Sequence, residues 1–192
     1  MEFADFMELE EMNEADLSEA QVFEMRFYTS HSFPAINTAL RKRHQPQPLP
    51  ATVMCVNDGL KSLRGNSADS DDATAIIEFF RGFTDMQVTQ DFKDRGGTES
   101  APMSTNKDLS VACGYAVRKG KTNGALLMKI MTKNNLQRGV VLQFLSMFPD
   151  EVETLFPPLT YVQSTNKVQE MDFKNGDATF KLTIVEVTTT SP

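Results

Sequence analysis

The sequence has no tryptophan, only two cysteines and two histidines, and no apolar run near the roughly 20 residues that a membrane-crossing helix needs. Each shortage removes a class of protein. Cys55 and Cys113 are too few for a disulfide framework. His31 and His44 have no Cys or carboxylate at ligand spacing around them, so no metal site is expected. Positive charge is also scarce: 19 Lys and Arg stand against 26 Asp and Glu, a net charge of -7. Proteins that grip nucleic-acid backbones need basic surface to displace counterions, so that partner is not expected. The segment up to Glu24 holds nine acidic residues and no basic one, the opposite of the positive start of a secretory leader. An intracellular, cytoplasmic and reducing setting, with no membrane partner, is the expectation.

What is present is organised in two parts. A chain of 192 residues fits a single domain with an appendage. Residues 1–27 read as an acidic helical lead-in with Leu9, Met12, Leu17, Val22 and Met25 as its apolar anchors, and residues 28–192 as one domain. Phe33, Ile36 and Leu40 fall on one helical face. After the linker Pro46-Gln-Pro-Leu-Pro50, a second helix carries Val53, Val56, Leu60 and Leu63. Beyond the polar loop 65–72 the pattern changes to strands, beginning with Ile76-Ile-Glu-Phe-Phe-Arg81. One helix interrupts between Thr105 and Val117, with Ser104 or Thr105 placed to cap it. Strands are then expected at 126–132, 140–146, 153–156, 160–163, 168–173 and 179–187. Helices followed by strands give an α+β fold and exclude a doubly wound nucleotide fold, in which the two alternate.

Several candidate sites fail on spacing or context. Gly114 to Thr122 has five residues between its glycines where a phosphate loop has four, and it follows a helix where that loop follows a strand. Cys113, inside an amphipathic helix with no base in view, reads as a small buried hydrophobe. Glu151 and Glu153 differ. They stand two apart where a loop enters a strand, and in an extended chain i and i+2 share a face about 6.5–7 Å apart. Two carboxylates on one cleft can divide labour, one stabilising a cationic transition state and the other handling a proton.

Three separated segments, in order, resemble the Arg-Ser-Glu class of mono-ADP-ribosyltransferases. Glu78-Phe-Phe-Arg81-Gly82 is similar to the aromatic-Arg-Gly strand that opens that family's NAD cleft. Met103-Ser104-Thr105-Asn106 is similar to its Ser-Thr-Ser, and Leu142 to Pro158, with Glu151-Val-Glu153, to the Glu-x-Glu segment of arginine-directed members. The helical stretch Tyr28 to Arg41 resembles the helix that precedes the family's strand core.

The resemblance implies N-terminal helices packed on a mixed, mostly antiparallel two-sheet β core, and NAD as co-substrate with no metal. It assigns Glu153 to the ribose beside the reacting carbon, Ser104 to holding the ribose and orienting Glu153, and Arg81 to the dinucleotide phosphates. Gly82 and Thr105 fall in the NAD-binding set. Glu151 and Phe148 would meet a protein arginine acceptor, although Phe148 reads equally as a loop anchor. Asn106 departs from the pattern, which has a second Ser there. An NAD glycohydrolase and a catalytically silent nucleotide- or protein-binding domain of the same fold remain as alternatives.

Overall fold

The computed structural model describes residues 3–42, 46–66, 75–117 and 125–192. Its first part is helical: α1 (Phe3–Met7), α2 (Glu10–Glu14), α3 (Glu19–Phe27), α4 (Phe33–Arg41) and α5 (Pro50–Asn66). At the start of α3, Ser18 and Gln21 cap one another reciprocally, which satisfies two otherwise orphaned amides. Between α3 and α4 the chain makes one π turn, Tyr28–Ser32, broken by the extended ψ of −171° at Ser30. Met12, Leu17, Val22 and Met25 are buried in one cluster with Ile36, Val56, Leu60, Leu145 and Leu155, while the acidic side chains from Asp5 to Glu19 are exposed. The acidic segment therefore presents charge to water and an apolar stripe to the core. Phe33 breaks the expected helical face. It is 45% exposed, whereas Ile36, three residues on, is buried.

The remainder is β1 (Ile77–Thr84), α6 (Gln90–Arg95), β2 (Gly97–Glu99), β3 (Met103–Asn106), α7 (Leu109–Ala116), β4 (Ala125–Thr132), β5 (Val140–Val141), β6 (Glu153–Phe156), β7 (Thr160–Asn175) and β8 (Ala178–Thr190). The strands follow the order β2-β7-β8-β4-β1-β3-β6-β5, and among the described residues only β4 and β8 run parallel. The α+β reading holds, with one refinement. Hydrogen bonding links all eight strands into one series, and the expected two sheets meet at a seam. Among the described residues, β1 and β3 share a single register pair, Phe80 opposite Asn106.

Local differences from the sequence reading have physical causes. Ser104 and Thr105 lie in β3 and cap nothing; Asp108 caps α7 instead, accepting from the Ser110 amide at 2.7 Å. Only Val140 and Val141 of the stretch 140–146 form a strand. Leu142 and Leu145, both buried, are three residues apart because the chain turns there, with the Leu145 and Ser146 amides donating to the Leu142 carbonyl. The stretches 160–163 and 168–173 are one strand, its register shifted by an irregularity between Ser164 and Val168. Gly114 lies inside α7, which ends two residues later at Ala116, within the stretch that fails as a phosphate loop.

Candidate functional site

A cleft of about 420 Å³ opens over the seam. It is lined by Arg81 and Gly82 from β1, Ser104, Thr105 and Asn106 from β3, Glu153 from β6, and Phe148 and Glu151 from the loop before β6. The sequence-predicted site residues are thus brought together. Tyr28, Asn37, Arg41 and Tyr115 also line it, and the sequence reading gave none of these a role in the site.

Arg81 crosses the seam. Its guanidinium donates to the Ser104 carbonyl at 3.0 Å, lies 3.7 Å from Glu99 Oε2, and sits 5.1 Å from the centre of the Phe83 ring. Glu99 is itself held by a two-pronged pair with Arg41 at 3.0 and 3.1 Å and by the Ala101 amide at 3.1 Å. Burial pushes the Arg81 guanidinium below the ordinary arginine value, and Glu99 pushes it back up. The result is a cation held in a fixed direction at the cleft wall.

Glu153 stands opposite Asn106 in the β3–β6 register. Burial pushes its carboxyl above the ordinary glutamate value, a hydrogen bond from Ser104 opposes that shift, the Glu151 charge adds to it, and Arg81 opposes it. Asn106 donates its amide to the Val152 carbonyl at 3.2 Å and accepts from the Asp108 amide at 2.7 Å. The residue that departs from the Ser-Thr-Ser pattern therefore ties down the backbone between the two glutamates. Thr105 is buried, and its hydroxyl donates to the Thr154 carbonyl at 2.8 Å.

The loop before β6 is anchored to the helical part. Arg26 donates to the Leu145 carbonyl at 3.0 Å, and the Met147 amide donates to the Thr29 hydroxyl at 3.1 Å. The Phe148 ring meets His31 edge to face, centroids 5.2 Å apart. Phe148 is 39% exposed, so it is not a core anchor, and His31 is exposed beside it. Deeper in the cleft, the buried Tyr28 and Asn37 exchange hydrogen bonds at 3.2 and 3.0 Å. Burial raises the Tyr28 phenol well above the ordinary tyrosine value, so it stays a neutral donor. Tyr28 and Asn37 stand nine residues apart in a stretch that also holds Thr29, Ser30, His31 and Ser32, so no local pattern singles the pair out.

Other candidates resolve as structural. Arg138 is buried and donates to Asn135 and to the Ala75 carbonyl. A Cβ on Gly139 would come within 2.6 Å of the Leu155 carbonyl, so this pair closes the chain against β6. Cys113 is buried, as expected of a small hydrophobe. His44, residues 67–72 of the polar loop and residues 118–122 of the Gly114–Thr122 stretch lie outside the described residues. Among the described residues no helix is long and apolar enough to cross a membrane.

No family model matches the chain, and no curated protein matches it. Solved structures do, and the fold they define is that of the ADP-ribosyltransferases. The chain is similar to Plx2a, an ADP-ribosyltransferase toxin from Paenibacillus larvae, with a TM-score of 0.64 and 14% identity over 99% of this chain and 92% of that one. It is also similar to the ADP-ribosyltransferase HopU1 of Pseudomonas syringae (TM-score 0.62, 17% identity, 95% and 82% covered). A third similar structure is exoenzyme S of Pseudomonas aeruginosa, bound to carba-NAD and human 14-3-3 protein beta (TM-score 0.55, 15% identity, 96% and 86% covered).

Proposed function

We propose that this chain is an NAD-dependent mono-ADP-ribosyltransferase that modifies arginine in a protein acceptor and releases nicotinamide. The observation that carries the reading is the convergence of Arg81, Ser104, Glu151 and Glu153 on one cleft, from three strands and a loop of a fold shared with ADP-ribosyltransferases. Carba-NAD in the similar exoenzyme S supports NAD as the co-substrate.

The chemistry suits the geometry. The nicotinamide–ribose bond breaks, its electron pair leaves with nicotinamide, and an oxocarbenium-like cation develops at the ribose. Glu153, oriented by Ser104, offers a fixed negative charge to that cation. Arg81 holds the phosphates, because a planar, permanently charged fork matches paired phosphate oxygens. An acceptor arginine is protonated near neutral pH, so a second carboxylate must hold its guanidinium and take a proton as the new bond forms. Glu151 fills that role, with Phe148 exposed beside it. Gly82 and Thr105 complete the dinucleotide side. Residues 28–192 form the catalytic domain, with 1–27 as its acidic lead-in. The free thiols of Cys55 and Cys113 fit an intracellular place of action.

Labelled NAD incubated with agmatine and with an arginine-bearing protein tests the reading. Wild type should label both. Glu151→Ala should lower arginine transfer by about 10²-fold or more, the scale of a lost general base, while nicotinamide release with water as acceptor stays within a few-fold. Wild-type release of nicotinamide without labelling of either acceptor would mark the chain as an NAD glycohydrolase.

A further inference from the structure

Tyr115 is a positioning residue for the acceptor-side carboxylate: we infer that its phenol on α7 clamps Glu151 and so sets transfer to arginine against hydrolysis by water. The inference rests on the reading of Glu151 given above. Its basis is geometric. The Tyr115 hydroxyl reaches Glu151 Oε2 at 3.5 Å, from a different element than the one carrying the glutamate. The Tyr115 side chain stands 56% exposed at the cleft rim, and its backbone is held in place. Its backbone carbonyl accepts from the Thr84 hydroxyl of β1 at 2.9 Å, and α7 lies directly against β1 over Gly82.

Glu151 needs such a partner. It is exposed, and the Glu151 amide donates to the Phe148 carbonyl at 3.1 Å, a contact internal to the loop that fixes the turn but not the carboxylate. The loop is braced from one side by Thr29 and His31 of the π turn, and Tyr115 braces it from α7. With Oε2 engaged by the phenol, Oε1 is left for an incoming guanidinium. Sites whose first contacts are themselves held by rigid elements keep productive geometry, and loosening by about 1 Å costs rate.

The burial of the ring and the charges of Glu151 and Glu153 all raise the Tyr115 phenol above its ordinary value, so it remains a donor across the working range.

Tyr115→Phe removes the hydroxyl and keeps the ring. The expected result is an about 5–30-fold fall in kcat for agmatine modification, equivalent to about 1–2 kcal/mol, with the KM for NAD and the rate of NAD hydrolysis unchanged. In parallel, amide hydrogen exchange over residues 147–152 should speed up while α7 and β6 keep their wild-type protection. That second reading does not depend on activity. Faster exchange in a protein that transfers nothing to arginine would keep the clamp and overturn the arginine reading instead. Unchanged exchange, or equal losses of transfer and hydrolysis, would overturn the clamp.

Discussion

Glu153→Gln should lower both arginine transfer and nicotinamide release by about 10²–10³-fold or more, the cost of removing one preorganised charge-stabilising group from a reaction that develops charge. The amide is isosteric, so the ribose contact survives and NAD should still bind in a calorimetric titration. The same substitution should make the protein harder to unfold near neutral pH. Glu153 has a folded pKa above the ordinary 4.5, its burial being the main cause. Its contribution to stability is therefore complete below the ordinary carboxyl range and is lost as pH rises through the raised folded value. Glutamine does not titrate, so the variant should lose that decline and melt higher than wild type above it, while the wild-type activity falls with acid through that raised value. Nicotinamide release at the wild-type rate from the variant, followed by chromatography, would refute the assignment of Glu153.

Gly82→Ala should be the most tightly opposed methyl among the described glycines and destabilise the fold. A Cβ there would lie 2.1 Å from the Ala112 carbonyl oxygen and 2.7 Å from the Ala116 amide nitrogen, both backbone atoms of α7 that no rotamer change can move. Overpacking of this kind costs about 1–3 kcal/mol. For a chain of this length, that translates to a fall of roughly 2–12 °C in melting temperature. The helix must shift away from β1, and Tyr115 shifts with it, so arginine transfer should suffer beyond the loss of stability when assayed well below the melting point. A denaturant midpoint unchanged from wild type would show that α7 is not seated as described. The resemblance places Gly82 in the NAD-binding set. The structure adds a packing reason for the same glycine, since the α7 backbone at Ala112 and Ala116 is seated directly against it.

How much of this was legible beforehand varied with the kind of signal. Long elements with a clear period were: Val56, Leu60 and Leu63 of α5 are buried, and β4 covers the expected 126–132. The three-residue β2 was not, since alternation needs more length to show. Ser104 and Thr105 looked like helix caps because a Ser-Thr pair before an apolar helix carries the same local chemistry whether or not it sits in a strand; Asp108, nearer the helix, won the position. The site residues were readable because their motifs fall in order along the chain. Their supports were not. Glu99 and Tyr115 act through partners 18 and 36 residues away in sequence, Arg81 and Glu151, and nothing local marks such pairs. Phe33 looked like core by its spacing, but the helix turns it onto the cleft rim.

The seam between β1 and β3 has a mechanical meaning. One register pair joins the two halves of the sheet, reinforced by the Arg81 hydrogen bond to the Ser104 carbonyl and by the edge-to-face contact of Phe79 with Phe156, 5.6 Å between centroids. Arg81 belongs to one half, Ser104 and Glu153 to the other. Among the described strands the most sparsely paired line therefore runs under the candidate cleft, and on the proposed reading a bound dinucleotide would bridge the two halves of the sheet as a splint bridges a joint.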